Sequence, residues 1–100
     1  MTFIGNRTFN GCSSLVNINF PERLEKIGNS AFHSTALVSV KLPNTLKEID
    51  GRAFQNCKSL ESIVIPEGVS AIAASSFLSC ESLESVVLPS SVTSIGNYAF

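Results

Sequence analysis

A phenylalanine returns along this chain at Phe9, Phe32, Phe54, Phe77 and Phe100, and a proline at Pro21, Pro43, Pro66 and Pro89, always 22 or 23 residues after the last. So fixed a period means stacked repeats, each too small to bury its own apolar face and each covered by its neighbours. The units run 4–26, 27–48, 49–71 and 72–94, with a partial fifth over 95–100, and residues 1–100 form one repeat domain, expected to be a segment of a longer array. Repeat two is one residue short. Five steps separate Phe32 from Leu37 where the others have six, and the only histidine, His33, sits in that shortened loop.

Aligning the repeats produces ladders of one residue type, as stacking requires. Six are apolar throughout: Ile4/Ile27/Ile49/Ile72/Ile95, the phenylalanines, Leu15/Leu37/Leu60/Leu83, Ile18/Val40/Ile63/Val86, Phe20/Leu42/Ile65/Leu88 and Leu24/Leu46/Val69/Val92. Fully buried at ~1.5–3 kcal/mol per side chain, they dominate the favourable side of the stability balance. Within a repeat, Leu60 to Ile65 reads as a strand, and Pro66, lacking an N–H for a further rung, ends it. Strands of successive repeats enter in the same direction and form a parallel sheet. The return path is short and interrupted by Gly5, Gly28, Asp50, Ala73 and Gly96, which predicts a brief extended piece and then one helical or 3₁₀ turn at Ala31-Phe32, Ala53-Phe54 and Ala99-Phe100.

The motifs Leu15-x-x-Ile18-x-Phe20, Leu37-x-x-Val40-x-Leu42, Leu60-x-x-Ile63-x-Ile65 and Leu83-x-x-Val86-x-Leu88 match the strand core of leucine-rich repeats, with proline where asparagine usually follows. Together with the Ile-Gly-x-x-Ala-Phe-x-x-Cys pattern between strands, this resembles the BspA-like leucine-rich repeat family, also known from treponemal surface proteins. The resemblance implies an α/β solenoid, a right-handed superhelix with its parallel sheet on the concave face and extended, 3₁₀ or single-turn helical pieces on the return side. It also implies an extracellular or cell-surface location and adhesion to a host matrix protein such as fibronectin or fibrinogen.

Composition narrows the function further. An apolar fraction of 44% with 15% charged residues argues for an ordered chain, and a net charge of −1 gives no reason to expect nucleic acid or an anionic membrane as partner. No apolar run approaches the ~20 residues of a membrane span, and no signal peptide precedes the first repeat. Residues 1–58 hold seven bases and four acids, hence +3, while residues 59–100 hold four acids and no base, hence −4. That lengthwise dipole would favour head-to-tail contact, although solvated faces are the plainer reading.

Few residues offer chemistry. Cys12, Cys57 and Cys80 share one repeat position, with Thr35 in repeat two, and their spacing is that of the repeat and not of a zinc site. Stacked neighbours lie within disulfide range, so a Cys57–Cys80 bond is open to the chain, but buried free thiols are the default. His33 with Ser34 or Thr35 lacks an orienting carboxylate, so no enzymatic role is expected. Glu61 and Glu84 stack as like charges on the outside, Lys58 is expected over Glu81, and Asn6-Arg7-Thr8 fits a glycosylation sequon.

The surface best suited to function is the outward face of the strands: Asn17 and Asn19, Ser39 and Lys41, Ser62 and Val64, Ser85 and Val87. A rigid ladder with variable side chains suits a protein ligand, and no cofactor or metal is expected. The rival reading is a spacer or self-associating scaffold, since neither end shows a polar cap and the apolar end rungs would stick to one another.

Overall fold

The computed structural model describes residues 2–100 and contains eight short strands and no helix among them. Three parallel sheets stack the repeats. The first joins β1 (Phe3–Ile4), β2 (Lys26–Ile27) and β4 (Glu48–Ile49), the second β3 (Ser39–Lys41), β5 (Ser62–Val64) and β7 (Ser85–Val87), and the third β6 (Ala71–Ile72) and β8 (Ser94–Ile95). Register follows the repeat: Ile27 sits over Ile4, Ile49 over Ile27, and Ile63 between Val40 and Val86. Among the described residues no helix is long and apolar enough to cross a membrane.

The six ladders form the core, and burial is deepest in the middle of the stack. Phe32, Phe54, Leu37, Leu60, Leu24 and Leu46 are inaccessible to solvent, whereas the last rungs at Leu88, Ile95 and Phe100 are exposed. Phenylalanine rings stack face to face along the axis, with centroids 5.2, 5.4, 5.6 and 5.4 Å apart from Phe9 through Phe100. Phe20 meets the edge of this column at Phe32, 5.6 Å away and tilted 74°. Each proline carbonyl accepts from the N–H three residues on (Leu24, Leu46, Val69, Val92), so the proline that ends a strand also opens the turn that leads away from it.

The return path is not helical, which corrects the expected 3₁₀ or helical turn. A 3₁₀ segment would direct every N–H to the carbonyl three residues back. Here alternate N–H groups leave the repeat: Ala31 and His33 donate to Gly28 and Ser30, but Ser30, Phe32 and Ser34 donate to Gly51, Ala53 and Gln55 of the next repeat. The alternation places Arg7, Ser30, Arg52, Ser75 and Tyr98 in the left-handed region (φ 57–62°), and Gly11, Ser34, Asn56 and Ser79 in a second left-handed row (φ 60–78°). Eight of these nine residues carry a Cβ, and such conformations cost of order 1–3 kcal/mol each. The cross-repeat bonds offset that cost.

Two irregularities follow from the sequence. Repeat two, one residue short, lacks the turn in which Leu15, Leu60 and Leu83 donate to Cys12, Cys57 and Cys80, and Ala36 donates instead to Leu15 of the previous repeat. In repeat one, Leu15 to Phe20 forms no strand, contrary to the sequence expectation: the cross-repeat bonds from Ala36 and Val38 reach Leu15 and Val16 and then stop. Asn17 and Asn19, poor strand formers, occupy the outward positions there.

Candidate functional site

Strands β3, β5 and β7 present the candidate face. Strand alternation sends Val40 and Ile63 into the core and Val86 partly into it, leaving the residues on either side to point outward. The parallel register assembles these into two rows, Ser39–Ser62–Ser85 and Lys41–Val64–Val87. Val64 is 51% and Val87 52% exposed, and they lie directly opposite one another on adjacent strands. The result is a hydroxyl row beside an apolar pair, with a lysine at one end. Asn17 and Asn19 are also exposed but stand outside any strand, so the ordered face comprises six of the eight positions chosen from sequence.

Glu61 and Glu84 stack as expected at the strand entrance, both exposed, with Glu84 N–H donating to the Glu61 carbonyl at 2.9 Å. The Lys58–Glu81 pair does not form. The salt bridges among the described residues belong instead to Lys26, whose Nζ lies 3.5 Å from both Glu48 Oε2 and Asp50 Oδ2, and these two carboxylates, Asp50 foremost, raise its pKa. The lysine sits on the return side because β2 and β4 pair Lys26 with Glu48.

The cysteine row is a tie between repeats. Cys57 Sγ donates to Phe32 O and Cys80 Sγ to Phe54 O, each at 3.1 Å, and the buried Thr35 hydroxyl lies 3.3 Å from Cys57 Sγ. Both are free thiols, so the bond open to them from sequence is not made. The neighbouring Cys57 and burial push the Cys80 thiol above its ordinary range. Cys12, in contrast, is exposed, against the expectation of a buried row. A disulfide-exchange reagent added to the folded protein should therefore react fastest at the exposed Cys12, more slowly at the half-buried Cys80, and at the buried Cys57 only on unfolding. Fast reaction at Cys57 would show that the column opens readily.

His33 is half-buried, with Nδ1 2.9 Å from Ser34 Oγ. This is a contact between sequence neighbours, and no carboxylate stands within salt-bridge distance of the ring. Thr35 is turned inward to Cys57. Asn6 of the sequon accepts from Asn29 N–H at 2.9 Å and Thr8 donates to Gly5 O at 2.7 Å, so both side chains serve the turn. Among the described residues no three His, Cys, Asp or Glu side chains converge to hold a metal ion.

Over residues 1–100 the chain matches a family model described as BspA type Leucine rich repeat region (6 copies). Curated proteins include no match. The solved structures to which it is similar include three leucine-rich repeat proteins. A leucine-rich repeat protein from Bacteroides ovatus ATCC 8483 is 32% identical at a TM-score of 0.96, over 99% of this chain and 26% of that one. The T. pallidum leucine-rich repeat protein is 39% identical at 0.90, over 96% and 45%. A leucine-rich cell surface protein from Faecalibacterium prausnitzii A2-165 is 39% identical at 0.89, over 99% and 27%. This chain thus spans from about a quarter to under half of the proteins it resembles.

Proposed function

The chain belongs to the BspA-type leucine-rich repeat family, and from that premise we propose that it is a protein-interaction module that engages its partner through the outward face of β3, β5 and β7. A repeat array of this kind serves interaction or scaffolding. The observation that favours interaction is the apolar pair Val64 and Val87, half exposed and in register on the adjacent strands β5 and β7. A rigid backbone loses little conformational freedom on docking, so two adjacent apolar side chains ringed by Ser62, Ser85 and Lys41 can act as an anchor within a polar rim.

The partner class is a macromolecule at a cell surface, with a host matrix protein such as fibronectin or fibrinogen as the first to try. A cell-surface location is supported by the description of the Faecalibacterium relative. The chain, immobilised, should bind one of these two proteins, and the Val64→Glu/Val87→Glu variant should lose at least tenfold in affinity, about 1.4 kcal/mol, while keeping the circular dichroism of the parent. Unchanged affinity in a folded variant would move the site off this face. Absence of binding by both folded proteins would leave the scaffold reading, a spacer that holds other segments apart.

A further inference from the structure

On the return side, where the turns of four repeats lie side by side, two rows of residues bound an open groove of about 480 Å³, in which Arg7, Asn10 and Arg52 are exposed and Ser30 is buried between the two arginines. In one row, the first left-handed position, arginine alternates with serine: Arg7, Ser30, Arg52, Ser75. The other row is the residue after each ladder phenylalanine, including Asn10, His33 and Gln55. Only Leu78, at one end, is apolar.

We propose that this groove binds a linear anionic oligosaccharide, with its sulfate or carboxylate groups on Arg7 and Arg52. The two arginines stand two rungs apart, about 10 Å at the ~4.8 Å strand spacing, so they favour charges distributed along a chain over one small anion. Neither has a carboxylate within 4.0 Å among the described residues, and the acids nearest Arg52 in sequence, Glu48 and Asp50, are taken by Lys26. An unpaired guanidinium offers its planar fork to sulfate or carboxylate oxygens. Between the arginines the lining is amide, hydroxyl and imidazole. His33 has Nδ1 occupied by Ser34, which leaves Nε2 for a ligand.

Gln55 distinguishes a sugar from a bare anion. Its Oε1 is buried with no hydrogen-bond partner, and a buried acceptor without a donor is a cost that a rotation of the amide toward a hydroxyl donor would remove. Sugar hydroxyls donate, whereas inorganic sulfate only accepts. A peptide fits less well, because the backbone here is already used: Arg7, Phe9 and Gly11 N–H groups all donate to the next repeat, so no strand can be added, and the groove has one apolar contact for side chains.

The test is binding at 0.15 M salt to a heparin-derived hexasaccharide, beside uncharged dextran and hexaglutamate. The hexasaccharide should bind at least tenfold more tightly than either. Arg7→Gln/Arg52→Gln, changing two exposed side chains, should lose at least tenfold, and Gln55→Leu severalfold, while Lys47→Gln/Lys58→Gln, which removes the same charge elsewhere, changes affinity less than twofold. Val64→Glu/Val87→Glu should bind the hexasaccharide like the parent, which separates this groove from the strand face. Failure to bind, equal losses in the arginine and lysine variants, or hexaglutamate binding as well as the hexasaccharide would each overturn the proposal.

Discussion

Truncation of Phe54 to alanine will lower stability by about 3–5 kcal/mol, the range for removing a buried aromatic ring from a core. The ring lies in the middle of the phenylalanine column, inaccessible to solvent, 5.4 Å from Phe32 and 5.6 Å from Phe77 and within 6° of parallel to both. Its loss removes transfer free energy and two ring–ring contacts, each worth about 0.5–1.5 kcal/mol beyond burial. The column cannot close the gap, because the repeats above and below are held at ladder spacing by Phe32 N–H to Ala53 O and Phe54 N–H to Ser76 O, at 2.8 and 2.9 Å. Domains of this size are stable by about 5–15 kcal/mol, so a large share would go. Phe100→Ala is the internal comparison, since that ring has one stacking neighbour and is 52% exposed; its cost should be about 1–2 kcal/mol, well below that of Phe54. Urea midpoints read both, and similar shifts for the two would show that the column is not what holds the stack.

Gly28→Ala will cost about 1–3 kcal/mol by overpacking, although glycine to alanine in an unstrained conformation ordinarily stabilises. A Cβ at Gly28 would stand 2.7 Å from Asn6 N and 2.8 Å from Gly5 C, backbone atoms of the previous repeat that can move only if the repeats separate. Gly5 occupies the equivalent rung one repeat earlier, yet its Cβ would meet only the Thr8 hydroxyl at 3.4 Å. Gly5→Ala should therefore be near neutral by the same unfolding measurement. Equal penalties at the two sites would point to backbone conformation and not to crowding between repeats.

The candidate face was legible in the sequence because strand alternation is a local rule: once Val40, Ile63 and Val86 are assigned inward, Lys41, Val64 and Val87 must point out. Repeat one shows the limit of that rule, since Asn17 and Asn19 satisfy the alternation but lack the hydrogen-bonded partners that make a strand. The arginine groove was not read from the sequence, although one signal was present, arginine at the same repeat position in repeats one and three. That signal had no meaning until the structure placed Arg7 and Arg52, both exposed, along one groove with Asn10, His33 and Gln55.

Much of this protein follows from its sequence alone. The period, the six inward ladders, the parallel strands and the proline that ends each of them require only that identical units stack, and that apolar side chains leave water. What the tertiary structure decided lies between the repeats. The N–H of each ladder phenylalanine is chemically free to close a 3₁₀ turn within its own repeat or to donate to the next one, and no residue beside it encodes the choice. Stacking places an acceptor at 2.8–2.9 Å from Phe9, Phe32, Phe54 and Phe77, so the cross-repeat bond wins and the predicted helical turn gives way to alternating left-handed residues. The same stacking aims the cysteine thiols at carbonyls and leaves Gly28 no room for a methyl group, because the partner atoms for each come from a neighbouring repeat.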